Sequence, residues 1–393
     1  MVSSAGAPQN PGPFVPPLPR RIRRVGAPIA VIIVLGTVAG LIVILLTAIN
    51  PVGTAVGFVL SSVAMSVVVL AYLWLDRWEP EPPRLLVLAF LWGASVAVVL
   101  ASVIQIFVES VVNPGHPEAV SAVSVVIGAP LTEEAAKGLF LLLMMTGRRR
   151  NELNSLTDCL VYAGLAGAGF AWLEDILYIS SGGTLGASLV TAALRLIMAP
   201  FAHSLFTTMF GIGVYFALQQ RKSLAKVGCI LLGYLGAVVM HGLWNGSSLL
   251  GVEAYFAVYV FWMVPIFGLM IVLGVQSRRR EQRVVAAKLP GMVAAGLVTP
   301  NEATWLGSIP NRKLAIGQAT RLGGRQAGKG VKNFAAQVVE LAFVRDRIDK
   351  GLADQRVFAL QQQEVDGVAA ARATTPMLQA LAGYRATNGL PRD

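Results

Sequence analysis

Eight runs of apolar residues, at about 28–49, 52–75, 85–108, 120–146, 159–180, 186–218, 227–250 and 254–275, dominate the chain. Each supplies the roughly 20 residues that a helix rising about 1.5 Å per residue needs to cross a hydrocarbon layer about 30 Å thick. The sixth run, at 33 residues, is too long for one straight span, and Pro200 inside it predicts a kink or a broken helix. The pattern therefore predicts an all-α fold: a polytopic transmembrane helix bundle of about eight spans.

Composition narrows this further. Of 393 residues, 55% are hydrophobic and 13% charged, against about 25% charged in an ordinary soluble protein. A soluble enzyme, a disordered chain and a nucleic-acid-binding module are all excluded as descriptions of the whole. The net charge of +11 fits a bilayer better than a nucleic acid, because Lys and Arg collect in alternate loops. With the N-terminus inside, the cytoplasmic loops hold Arg77 and Arg84; Arg148, Arg149 and Arg150; Arg221, Lys222 and Lys226; and Arg278, Arg279, Arg280 and Arg283. The opposite loops hold none, so the positive-inside rule predicts a multi-pass plasma-membrane protein with both termini cytoplasmic. Cys159 and Cys229 are far apart, which argues against a disulfide framework or a Cys-based metal site. Three segments follow: a disordered basic arm at 1–27, a transmembrane domain at 28–275, and a polar, helical cytoplasmic tail at 276–393 without a chemical motif.

Ionisable groups deep in a bilayer cost about 2.5–3.5 kcal/mol each by insertion scales, and by default they mark function. The fourth to seventh runs hold Glu133, Glu134, Lys137, Glu174, Asp175, Arg195, His203, His241 and Asn245. Counted from the cytoplasmic end of each run, Glu133, Glu174, His203 and His241 lie at depths of roughly 18–23 Å, so four helices are expected to bring polar groups to one buried site. Glu133 and Lys137 are four apart on one helix face and can pair, as can His203 with Thr207 and His241 with Asn245. Two imidazoles with a carboxylate suit Zn²⁺ with an open position for water. Alternatively, a glutamate acts as general base while His and Asn stabilise an oxyanion. Both schemes hydrolyse a peptide bond within the membrane. Arg195, nearer the outer interface, reads as a snorkelling structural residue, and Ala163–Gly169 as a close helix contact. His116, flanked by Gly115 and Pro117, reads as a loop residue.

At these residues the chain resembles the PrsW family of intramembrane proteases. Thr132-Glu133-Glu134-Ala135-Ala136-Lys137 matches its EExxK motif, Phe170 to Glu174 its second motif, His203 its third-motif histidine, and His241-Gly242-Leu243-Trp244-Asn245 its final HxxxN/D pattern. Asp76-Arg77-Trp78-Glu79-Pro80-Glu81-Pro82 is also similar to a segment of the family. The related CAAX-processing and bacteriocin-immunity proteases share this logic but carry His where this chain has Glu174. The resemblance implies an intramembrane endopeptidase acting on another membrane protein, such as an anti-sigma factor. Its implied catalytic residues are Glu133, Glu134, His203, His241 and Asn245, supported by Lys137, Glu174 and Asp175; if a metal such as zinc is used, Glu134, His203 and His241 would hold it. A proton-linked transporter and an inactive scaffold are the alternative readings. HExxH, GxSG and GxGD, the marks of other intramembrane proteases, are absent.

Overall fold

The computed structural model describes residues 29–112, 121–352 and 355–386; the N-terminal arm and His116 lie outside them. The chain divides into two compact units between Glu281 and Gln282, and the helices of the first, the last of which runs on past this division, come in chain order. They are α1 (Ile29–Ile49), α2 (Pro51–Leu75), α3 (Pro83–Leu91), α4 (Val98–Val112), α5 (Ala129–Met144), α6 (Leu156–Ser180), α7 (Leu185–Ala192), α8 (Ala202–Leu218), α9 (Ser223–Leu249), α10 (Val252–Val258) and α11 (Val264–Ala294). Single π-helical turns join α3 to α4 (Trp92–Ala97), lead into α5 (Ser124–Gly128), follow α7 (Ala193–Met198) and join α10 to α11 (Tyr259–Met263). No strand occurs among the described residues.

Seven helices among the described residues are long and apolar enough to cross a membrane. The segment ending in α5 is not counted with them; it is the one that carries Glu133, Glu134 and Lys137. The sixth apolar run is broken as Pro200 predicts. Its first part ends at Met198, Ala199 leaves helical geometry at φ −125° and ψ 37°, and α8 starts at Ala202. A ring in place of an N–H, together with its clash against the preceding turn, ends a helix here.

Helix α6 is the axis of this unit. Every residue from Thr157 to Ala171 is buried, and α2, α3, α5 and α8 pack around it. Small side chains make this possible, because without a hydrophobic drive between helices in lipid, close backbone approach and dispersion hold them together. A Cβ on Gly167 would lie 2.6 Å from the His203 carbonyl oxygen and 2.7 Å from Ser204 Cα, so the run Ala163–Gly169 is the close contact its composition predicts. Ser204 Oγ adds a 2.9 Å hydrogen bond to the Gly164 carbonyl. On the outside, α1, α2 and α9 expose Ile, Leu and Val side chains that a bilayer accepts and water would not.

The second unit contains α12 (Pro300–Leu306), α13 (Ile309–Asp349), α14 (Gln355–Ala373) and α15 (Met377–Ala380). Trp305, Phe334, Val338, Leu341, Val368 and Leu378 are buried in it. Thr299 and Glu302 form a capping box at the start of α12, and Glu302 also pairs with Arg372 of α14. Gly324, at φ +74°, breaks α13 into two rods with non-helical backbone at Gly323–Gly324, a conformation open to glycine without steric cost.

Candidate active site

Helix α5 carries the acids. Glu133 is 5% exposed, while Glu134 and Lys137 are fully buried, so their charges persist only if they are paired. The Lys137 ammonium lies 2.7 Å from Glu134 Oε1, 3.6 Å from Glu133 Oε2 and 3.1 Å from His203 Nδ1, with the Phe170 ring centroid 4.0 Å away. The three-residue spacing to Glu134, rather than the four-residue spacing to Glu133, makes the tighter pair.

Hydrogen-bond chemistry fixes the His203 tautomer. An ammonium only donates, so His203 Nδ1 accepts from Lys137 and the ring proton sits on Nε2. That proton faces Glu174 Oε2 at 2.8 Å. On the other side His241 Nδ1 lies 2.9 Å from Glu134 Oε1, where a carboxylate requires a donor. His241 Nε2 is left 3.8 Å from Glu133 Oε2. The two imidazoles stand edge-to-face, 5.1 Å between centroids, and Phe206 stacks on His241 at 4.8 Å.

The two glutamates therefore differ. Both oxygens of Glu134 are engaged, since Thr207 Oγ1 donates to Oε2 at 3.0 Å. Glu133 Oε1 accepts from Gln105 Nε2 at 3.2 Å, whereas Oε2 is buried without a hydrogen bond. One carboxylate oxygen and one imidazole nitrogen thus face each other across a gap wider than a hydrogen bond. The donor atoms that gather within 4.8 Å of one another belong to Glu133, His203 and His241; Glu134 is held by Lys137, His241 and Thr207 instead.

Other residues support the cluster from outside. Arg195, in the π turn after α7, pairs with both Glu174 and Asp175 of α6, and its guanidinium lies over the Tyr178 ring. The snorkelling role expected of it is therefore corrected: two anions on the neighbouring helix draw it inward. Asn245 stands one turn beyond His241 and donates to the Val125 carbonyl at 3.1 Å. Val125 lies in the π turn leading into α5, where i→i+5 bonding shifts the helix register. Gln105 escaped the sequence reading, although an amide in an otherwise apolar run was a visible signal. Trp92 Nε1, which donates to the Ala136 carbonyl at 2.9 Å, also braces α5.

This is a membrane-embedded helix bundle enclosing a carboxylate–imidazole–ammonium cluster, the equipment of a hydrolase that works inside the bilayer. Residues 81–270, which include every one of these groups, match the PrsW family, described as an intramembrane metalloprotease family, and the match supports a multi-pass membrane peptidase of that kind. It is 29% identical to Protease PrsW of Geobacillus kaustophilus over 166 residues, 41% of this chain and 68% of that protein. Against Protease PrsW of Oceanobacillus iheyensis it is 23% identical over 185 residues, 47% of this chain and 80% of the other. No solved structure matches the chain.

Proposed function

We propose that Glu133 activates the water that attacks the scissile amide, within or beside a transmembrane segment of another membrane protein. The observation that carries this reading is Glu133 Oε2, buried without a hydrogen bond and facing His241 Nε2 at 3.8 Å. Both groups can hydrogen-bond one water, as a general base must. Glu133 Oε2 takes the water proton while the oxygen forms its bond to the carbonyl carbon. The proton then passes to the amide nitrogen as the C–N bond breaks. Lys137 is the nearest fixed positive charge, and it offsets the negative charge that develops on the carbonyl oxygen in a site of low dielectric. Glu134 and Thr207 hold Lys137 and His241 in place, Glu174 holds His203, and Asn245 anchors the start of α5.

Two imidazoles and a carboxylate form a donor set suited to zinc, and the orphaned Glu133 Oε2 leaves a lone pair for such an ion. Glu133, His203 and His241 would hold it; a bound metal supplies Lewis acidity and a more acidic water. His203 joins only by giving up its bond to Lys137 or to Glu174.

The Lys- and Arg-rich loops support a topology with both termini, and the tail with them, in the cytoplasm. An anti-sigma factor with a membrane anchor is one substrate of the required kind. The test compares the protein termini in membranes of cells carrying wild-type protein or Glu133→Gln. New termini within or next to a transmembrane segment, present only with wild type, support the reading and identify the substrate. Identical termini in both, with both proteins at equal abundance, overturn it.

A further inference from the structure

The tail lies beyond the matched family segment, and the two rods of α13 have an unusual charge distribution. Between 303 and 339 the chain has Arg312, Lys313, Arg321, Arg325, Lys329 and Lys332 and no Asp or Glu. All but Arg312 are exposed, and those five form no ion pair among the described residues. Three acids of this unit pair with other cations: Glu302 with Arg372, Asp346 with Lys288 and Lys350, and Asp349 with Lys288. Arg325, Lys329 and Lys332 recur at helical spacing on one side of the second rod, and Lys313 and Arg321 are exposed on the first. Leu314 and Leu322 stand among them, 52% and 57% exposed. Asn311, Ala315 and Ala319 of the first rod and Gly328 and Val331 of the second are buried instead, Gly328 against Thr320 of the first rod.

We propose that the exposed basic sides of the two rods of α13 dock on an anionic lipid surface. Clustered Lys and Arg are attracted to a negatively charged leaflet, and five of them act together here. Their long aliphatic stems and the two leucines enter the interfacial region while the charges meet headgroup phosphates. The last apolar run ends near residue 275, so the membrane holds this unit at high effective concentration and weak individual contacts suffice. A nucleic acid offers the same phosphates but no apolar layer for Leu314 and Leu322, and the chain is already anchored in a bilayer.

The test is hydrogen exchange of the full-length protein in nanodiscs of phosphatidylcholine, with and without phosphatidylglycerol. Peptides covering 309–333 exchange roughly tenfold more slowly with the anionic lipid, and the difference disappears at high salt. A variant carrying Lys313→Gln, Arg321→Gln, Arg325→Gln, Lys329→Gln and Lys332→Gln loses the slowing. Peptides from the buried stretch Phe334–Val344 stay unchanged throughout and report that the unit is folded. Equal exchange of 309–333 in both lipids overturns the proposal. So does slowing that requires an added DNA or RNA duplex and not the anionic lipid, or slowing that survives in the five-residue variant.

Discussion

The sharpest prediction separates two adjacent glutamates that sequence alone treats as a pair. Glu133→Gln removes a negative charge but keeps an amide oxygen to accept from Gln105, and the oxygen it alters has no hydrogen bond in the folded protein. Its cost in stability is therefore about 1 kcal/mol or less, the scale of one ordinary hydrogen bond. Its cost in rate is that of losing a general base, about 10²–10⁴-fold. Glu134→Gln does the reverse in stability. It deprives the fully buried Lys137 of its 2.7 Å partner and disturbs His241 and Thr207 as well. Breaking a buried ion pair from one side costs about 3–5 kcal/mol. Thermal unfolding of purified protein in micelles measures the first quantity. Time courses of cleavage of the substrate identified from the termini, in reconstituted vesicles, measure the second. Glu133→Gln should unfold close to wild type and be nearly inactive; Glu134→Gln should unfold well below it. Cleavage within a few-fold of wild type in Glu133→Gln, or a smaller stability loss in Glu134→Gln than in Glu133→Gln, refutes the assignment.

Two further expectations concern groups around the site. Arg195→Lys replaces a fork that spans Glu174 and Asp175 with a single point of charge; cleavage should fall roughly 10–100-fold, as for other residues that orient a ligand from behind, and Arg195→Gln should fall further. Equal loss in both variants would remove the charge from the explanation. Glu81, in the loop between α2 and α3, has its carboxyl pushed well above the usual range by burial first, and then by Asp158, Glu152, Glu79 and Asp76. A raised folded-state value means that the protonated form favours folding: the contribution is complete below the ordinary carboxylate range and is lost as pH rises above it. The unfolding temperature of wild type should therefore fall, relative to Glu81→Gln, as pH is raised from about 4.5, while a variant that tracks wild type at every pH would contradict this.

How far the sequence disclosed the molecule follows from the physics of each feature. Spans are legible because a bilayer demands one long apolar run per helix, and the break near Pro200 is legible because proline removes a specific hydrogen bond. Convergence of Glu133, Glu174, His203 and His241 is legible because buried charge is too costly to leave unpaired. Partner choice was not legible. Whether Lys137 turns to Glu133 or to Glu134 depends on side-chain rotamers and on Thr207 from another helix. Arg195 could be placed by depth but not by direction, since the π turn that carries it shifts its angular position on the helix. Asn245 shares a helix with His241, yet its amide serves a backbone carbonyl in a π turn that periodicity does not reveal.

The charges in the site do not balance, and that imbalance has a consequence that can be measured. Glu133, Glu134, Glu174 and Asp175 contribute four negative charges against two positive charges from Lys137 and Arg195, an excess of two. Buried anions of this kind are offset by bound protons or by a dication, and the free positions for either are the same: Glu133 Oε2 and His241 Nε2. A divalent metal would be held there by Glu133, His203 and His241 and would supply the missing positive charge. Zinc added to metal-stripped protein should raise the unfolding temperature of wild type, as a ligand that prefers the folded state must. The same addition should leave Glu133→Gln and His241→Ala unmoved. An unchanged unfolding temperature in wild type would leave protons as the counter-charge and Glu133 as a base that works without a metal. A rise in wild type that persists in both variants would place the zinc on other residues.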